Sequence, residues 1–130
     1  MKQITQELIN SAQDDLKIID KIIDDPMLTH QVAFHAQQAI EKLLKAVMEE
    51  YDKNLMKVHS LEKLLKTAQK FIEISLDHET IMKLDQLYIE ARYPGNMGLL
   101  PHGKPNIKEA NKFKEMANRT FDQINSELED

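Results

Sequence analysis

Residues 32–47 read VAFHAQQAIEKLLKAV, and their spacing decides the fold. Val32, Ala36, Ala39, Ile40, Leu43 and Val47 recur at steps of three or four, the interval that lines one face of an α-helix. Glu41 and Lys45 stand one turn apart, as an i,i+4 ion pair requires. The stripe predicts a helix over about residues 28–51. Upstream, Ile4, Leu8, Ala12, Leu16, Ile19 and Ile23 repeat the pattern until Pro26 stops it, which predicts a first helix over about 4–24.

Downstream the same logic holds. Ser60 precedes Leu61, Leu64, Leu65, Ala68 and Phe71, a serine cap followed by a leucine stripe, so a third helix is expected to about residue 75. Ile81, Leu84, Tyr88 and Ala91 predict a fourth, ending near Arg92 because Pro94 disfavours helical geometry at Tyr93. Asn106 with Glu109 forms a capping-box pattern, and Ala110, Phe113, Ala117, Phe121, Ile124 and Leu128 carry the fifth helix. Six of the seven Gly and Pro residues lie within 94–105, so the helix breakers are confined to one loop. No stretch alternates with period two. The expected architecture is all-α, an up-and-down bundle of four to five antiparallel helices in a single domain spanning 1–130.

The 130 residues carry 17 Lys and Arg against 22 Asp and Glu, a net charge of −5, with 42% hydrophobic residues, no Cys and no Trp. That balance excludes a disordered chain, and the missing cysteines exclude disulfides, thiolate metal sites and cysteine nucleophiles. A pI near 5.5 argues against coating long nucleic acid by bulk charge. The first residues lack the apolar core of a signal peptide and no run approaches a membrane span, so a cytoplasmic protein without a membrane partner is expected.

Metal chemistry in helical bundles draws on Glu-x-x-His, but the residues three before the five histidines are Met27, Val32, Met56, Ser75 and Leu99. No metal and no cofactor are expected. Phosphate-loop and serine-elbow motifs are also missing. Three features remain. Phe34, Glu41 and Lys45, with Gln38 beside them, fall opposite the buried stripe of the second helix, so Phe34 is either a singly exposed aromatic or part of a dimer seam with Gln38, Glu41 and Lys45. Lys104, Lys108, Lys112, Lys114 and Arg119 outnumber Glu109 and Glu115, which makes either a phosphate-binding wall or a solvated helix face. Arg92 opens the loop that contains His102; it either serves a ligand, pairs with Asp85 or Glu90, or caps its helix. His35 and His59 read as polar contacts and not as catalysts.

Three stretches together, Phe34 to Ala46, Val58 to Leu65 (VHSLEKLL) and Ala91-Arg92-Tyr93-Pro94, resemble the HEPN (higher eukaryotes and prokaryotes nucleotide-binding) domain over nearly the whole chain and in the right order. The resemblance implies a helical bundle that forms a homodimer and binds a nucleotide, RNA or a minimal nucleotidyltransferase partner in a prokaryotic toxin–antitoxin or defence module. Arg92, Tyr93, Lys104, Lys108 and Lys112 are then the candidate nucleotide- or phosphate-binding residues. Many family members are metal-independent endoribonucleases whose motif is an Arg followed, after a short spacer, by a His. Arg92 and His102 are the catalytic candidates on that reading, with a nine-residue spacer that is longer than the motif's. The imidazole would take the 2′-hydroxyl proton and the guanidinium would offset charge on the phosphate. The alternatives to a binding protein are therefore such an endoribonuclease and a ligand-free structural adaptor.

Overall fold

The helix over residues 29–51 contacts every other α-helix of the bundle. In the computed structural model, which describes residues 1–51, 57–92 and 103–129, with Arg92 described by its backbone alone, the elements are α1 (Gln3–Ile22), a 3-10 turn (Pro26–Leu28), α2 (Thr29–Tyr51), α3 (Leu61–Ala68), α4 (His78–Arg92) and α5 (Ile107–Leu128). Among the described residues there are five α-helices and no strand, as the all-α expectation requires. Helix α2 packs against all four others. Its predicted stripe is buried, and so are Ala33, Leu44, Ala46 and Met48, which makes it the core helix and not a one-sided amphipathic one. Alanines at 33, 36, 39 and 46 let neighbouring helices come close to its axis.

Side-chain contacts fix the directions. The start of α1 meets the end of α2, where the Lys2 amide and the Thr5 hydroxyl both donate to Glu50 Oε1 at 3.0 Å. Further along, Asp15 of α1 accepts from Lys42 (2.8 Å) and pairs with His35 Nδ1 (2.9 Å). Lys104, just before α5, donates to the Met27 carbonyl just before α2, and Lys83 of α4 pairs with Glu109 near the start of α5. Helices α2 and α5 therefore run one way and α1 and α4 the other.

The termini follow local chemistry. Asn106 and Glu109 form the reciprocal cap of α5 at 2.7 and 3.0 Å, Asp77 caps α4 by accepting from the Thr80 amide and hydroxyl, and Ser60 caps α3. Gly103, leading into α5, has φ +75°, the left-handed region that glycine enters without a Cβ penalty.

Two expectations are corrected. Helix α3 ends at Ala68 and not near residue 75, because the Gln69 side chain donates to the Ile74 carbonyl and closes a turn there. Ile72 and Ile74 then reach the core from a non-helical segment, and Phe71, 37% exposed, stacks on Tyr51 instead of entering the core. The buried face of α1 is Thr5, Ile9, Ala12, Asp15, Leu16 and Ile19, with Ile4 exposed. It departs from the apolar stripe because Thr5 and Asp15 have polar partners waiting on α2.

Leu43→Ala, at a fully buried position of α2, should lower unfolding free energy by about 2–5 kcal/mol. Asn106→Ala should lower it by about 0.5–2 kcal/mol through loss of the cap. Urea denaturation of the two variants checks the order.

Candidate functional site

Glu41 lies on α2 with its side chain only 9% exposed, and three donors surround it. Gln37, one turn earlier, donates to Oε1 at 3.1 Å; Lys45, one turn later, donates to Oε2 at 3.0 Å; His59, from the segment leading into α3, places Nδ1 3.0 Å from Oε1. Burial pushes the Glu41 carboxyl up, but the hydrogen bonds from Gln37, Lys45 and His59 and the Lys45 charge outweigh it and hold the group below its usual range. The carboxylate is thus ionised, and His59 Nδ1 carries the proton that faces it.

His59 is pinned a second time, since Gln37 Nε2 also donates to its carbonyl at 3.2 Å. Its ring remains 50% exposed and lies 5.4 Å from the Tyr88 ring, tilted by 33°. His59 and Tyr88, with Phe34 and Gln38 of α2 and Ala91 of α4, line a cleft of about 360 Å³. Phe34 is 43% exposed and meets His35 edge-on at 5.1 Å. Tyr88 lies one helical turn before Arg92 on α4, and Ala91 brings the cleft lining to the residue next to Arg92.

Such a cleft combines ring surfaces with an imidazole whose orientation is imposed by a buried carboxylate. A family model, the HEPN domain, matches residues 5–124. The chain belongs to the HEPN domain family. No curated protein and no solved structure matches it.

The HEPN chain distributes the residues expected from sequence unevenly. Phe34 is exposed and Gln38 half-buried, but Glu41, expected on an open dimer seam, is buried within the protomer because the His59 segment folds over it; Lys45 is held against it. Tyr93 and His102 lie outside the described residues, as does the side chain of Arg92. Asp85, weighed as a partner for Arg92, is engaged elsewhere: it accepts from the amides of Leu61 (2.8 Å) and Glu62 (3.2 Å) at the start of α3.

The lysines do not form one wall. Lys104 donates to the Met27 carbonyl (3.1 Å), and burial together with the Lys104 charge lowers the pKa of nearby His30. Lys108 is exposed, Lys114 pairs with Asp20, and Lys112 shares a shallow depression with Arg119, Asp77, Glu79 and Glu115. The Asp77 carboxyl there is held low by the Thr80 hydroxyl and amide, with Lys112 adding to the effect. Part of the positive excess over residues 102–119 is thus faced by acids, Asp77 and Glu79 at the start of α4 and Glu115 on α5. Lys112 also sits beside the first turn of α4, whereas Arg92 ends that helix, roughly 20 Å away at 1.5 Å per residue. Among the described residues no three His, Asp or Glu side chains gather to hold a metal ion, and no helix is long and apolar enough to cross a membrane.

Sequence reasoning passed over Tyr88 and left His59 out of the site. The one available signal was the histidine directly before the serine cap of α3, a position that brings the ring back towards α2.

Glu41 has a folded-state pKa below its unfolded value, so its contribution to stability is full above the unfolded value and is lost as pH falls through the folded one. Glu41→Gln should lower unfolding free energy by about 1–3 kcal/mol at neutral pH. The gap in urea midpoint between wild type and variant should close on acidification through the carboxylate range; a gap independent of pH would contradict the ionised pair.

Proposed function

We propose that this HEPN bundle binds a nucleotide or a segment of RNA in the cleft between α2 and α4. The observation that carries the reading is the convergence of Phe34, His59 and Tyr88 on one small cleft whose lining reaches Ala91, next to Arg92. Flat nucleobases stack on aromatic side chains in a sequence-tolerant way, and an arginine next in the chain to the cleft-lining Ala91 suits a phosphate. Arg92 and Tyr93 serve the phosphate end of the ligand in this reading, and Lys104 is the lysine that lies towards the same end of α2. Lys108 and Lys112 have no part in it, since the nearest acids already face Lys112.

The protein acts as a cytoplasmic homodimer, with exposed Phe34 and half-buried Gln38 at the seam, so that two clefts face one another. It works with a minimal nucleotidyltransferase in a prokaryotic toxin–antitoxin or defence module, as its family membership supports.

Fluorescence anisotropy with labelled single-stranded RNA and with a labelled adenine nucleotide tests the binding. Tyr88→Ala should weaken it by about tenfold or more through loss of stacking, and Arg92→Ala should weaken it and flatten its salt dependence. Unchanged affinity in Tyr88→Ala would move the ligand away from the cleft. Sedimentation should show a dimer that Phe34→Asp dissociates.

A further inference from the structure

The polarity of the cleft is set from beneath by Glu41, through a chain of hydrogen bonds that can run in only one direction. Gln37 faces the Glu41 carboxylate at 3.1 Å and the His59 carbonyl at 3.2 Å with the same atom. Both of those groups can only accept, so that atom is the amide nitrogen and both of its protons are used. The Gln37 oxygen is therefore left to accept, and Gln38 donates to it at 2.7 Å. That leaves Gln38 with its carbonyl oxygen and one N–H. In parallel, His59 gives its Nδ1 proton to Glu41 at 3.0 Å, which makes Nε2 of the neutral imidazole an acceptor. Gln38 and His59, which line the cleft together with the Tyr88 hydroxyl, thus offer an acceptor each and a single donor between the two of them.

We infer that the cleft selects a nucleobase whose exocyclic amine stands beside an acceptor ring nitrogen, as in adenine, with Gln38 and His59 as the specificity-determining residues. The inference rests on the reading of the cleft as the ligand site and goes beyond it by naming the base. An amine brings two N–H groups, one for each acceptor. The remaining Gln38 N–H meets an adjacent ring nitrogen, the paired donor and acceptor that a glutamine amide reads on adenine. A keto group at the same ring position would set its lone pairs against His59 Nε2 and the Gln38 oxygen, leaving both without a partner. Phe34, His59 and Tyr88 supply ring contact without regard to the base, so the amine is where discrimination arises.

Adenosine and inosine monophosphate differ at that substituent and in the proton that inosine carries on the adjacent ring nitrogen N1. Isothermal titration of the full chain at about pH 8, alkaline of ordinary imidazole titration, should show adenosine monophosphate binding about tenfold or more tightly than inosine monophosphate. Short oligoadenylate compared with oligoinosinate repeats the test for a base presented by RNA; the arm that shows the preference identifies the source. His59→Phe, which keeps a ring and removes the acceptor, should bring the two affinities together, and so should Gln38→Leu. Equal affinity of the wild type for the two bases, or a preference for inosine, overturns the inference while leaving the cleft as a nucleotide site. No binding of any of the four probes overturns the inference and the nucleotide-binding reading together.

Discussion

An ionised carboxylate removed from water has to be met by donors, and Glu41 imposes that requirement at the middle of the molecule. Its partners come from three places: one turn before on α2, one turn after on α2, and the segment that enters α3. The third is the consequential one. To bring His59 to Glu41, the chain must return across α2 after Tyr51, and this delivers Ser60 and the start of α3 to Asp85 of α4. One polar contact thus ties the second, third and fourth helices together at the point where the cleft opens.

The same construction recurs between α1 and α2. Asp15 is buried and is met by His35 and Lys42, while Thr5 and the Lys2 amide meet Glu50. Apolar packing along α2 holds α1 close; paired polar groups at one end and in the middle fix the register, because any slip would leave the buried Asp15 carboxylate unpaired. Specific alignment in this bundle comes from a few satisfied charges set in an alanine- and leucine-rich interior.

The cleft inherits its chemistry from that alignment. His59 is held at its backbone and at Nδ1, so only one ring edge is left for a ligand, and Gln38 is oriented through Gln37 by the same carboxylate. Binding groups that are held by their supports before a ligand arrives lose little freedom when it does. The basic face of α5 has no comparable support: Lys112 and Arg119 stand among Asp77, Glu79 and Glu115, an arrangement that suits a solvated helix surface.

Helix number, the core stripe of α2, the caps of α3 and α5 and the Glu41–Lys45 pair were all legible in the chain, because each depends on residues within a turn or two of one another. The family was legible for a related reason, since its motifs are local runs in a fixed order. What tertiary structure alone decided was partnership across long separations: Asp15 with His35 and Lys42, Asp85 with the start of α3, Glu41 with His59, and the acids of α4 with the cations of α5. Periodicity says that Glu41 lies opposite the apolar stripe, and on an isolated helix it would face water. The returning segment buries it, because a hydrogen-bonding histidine carried there by the chain offsets the cost that local spacing alone would make prohibitive.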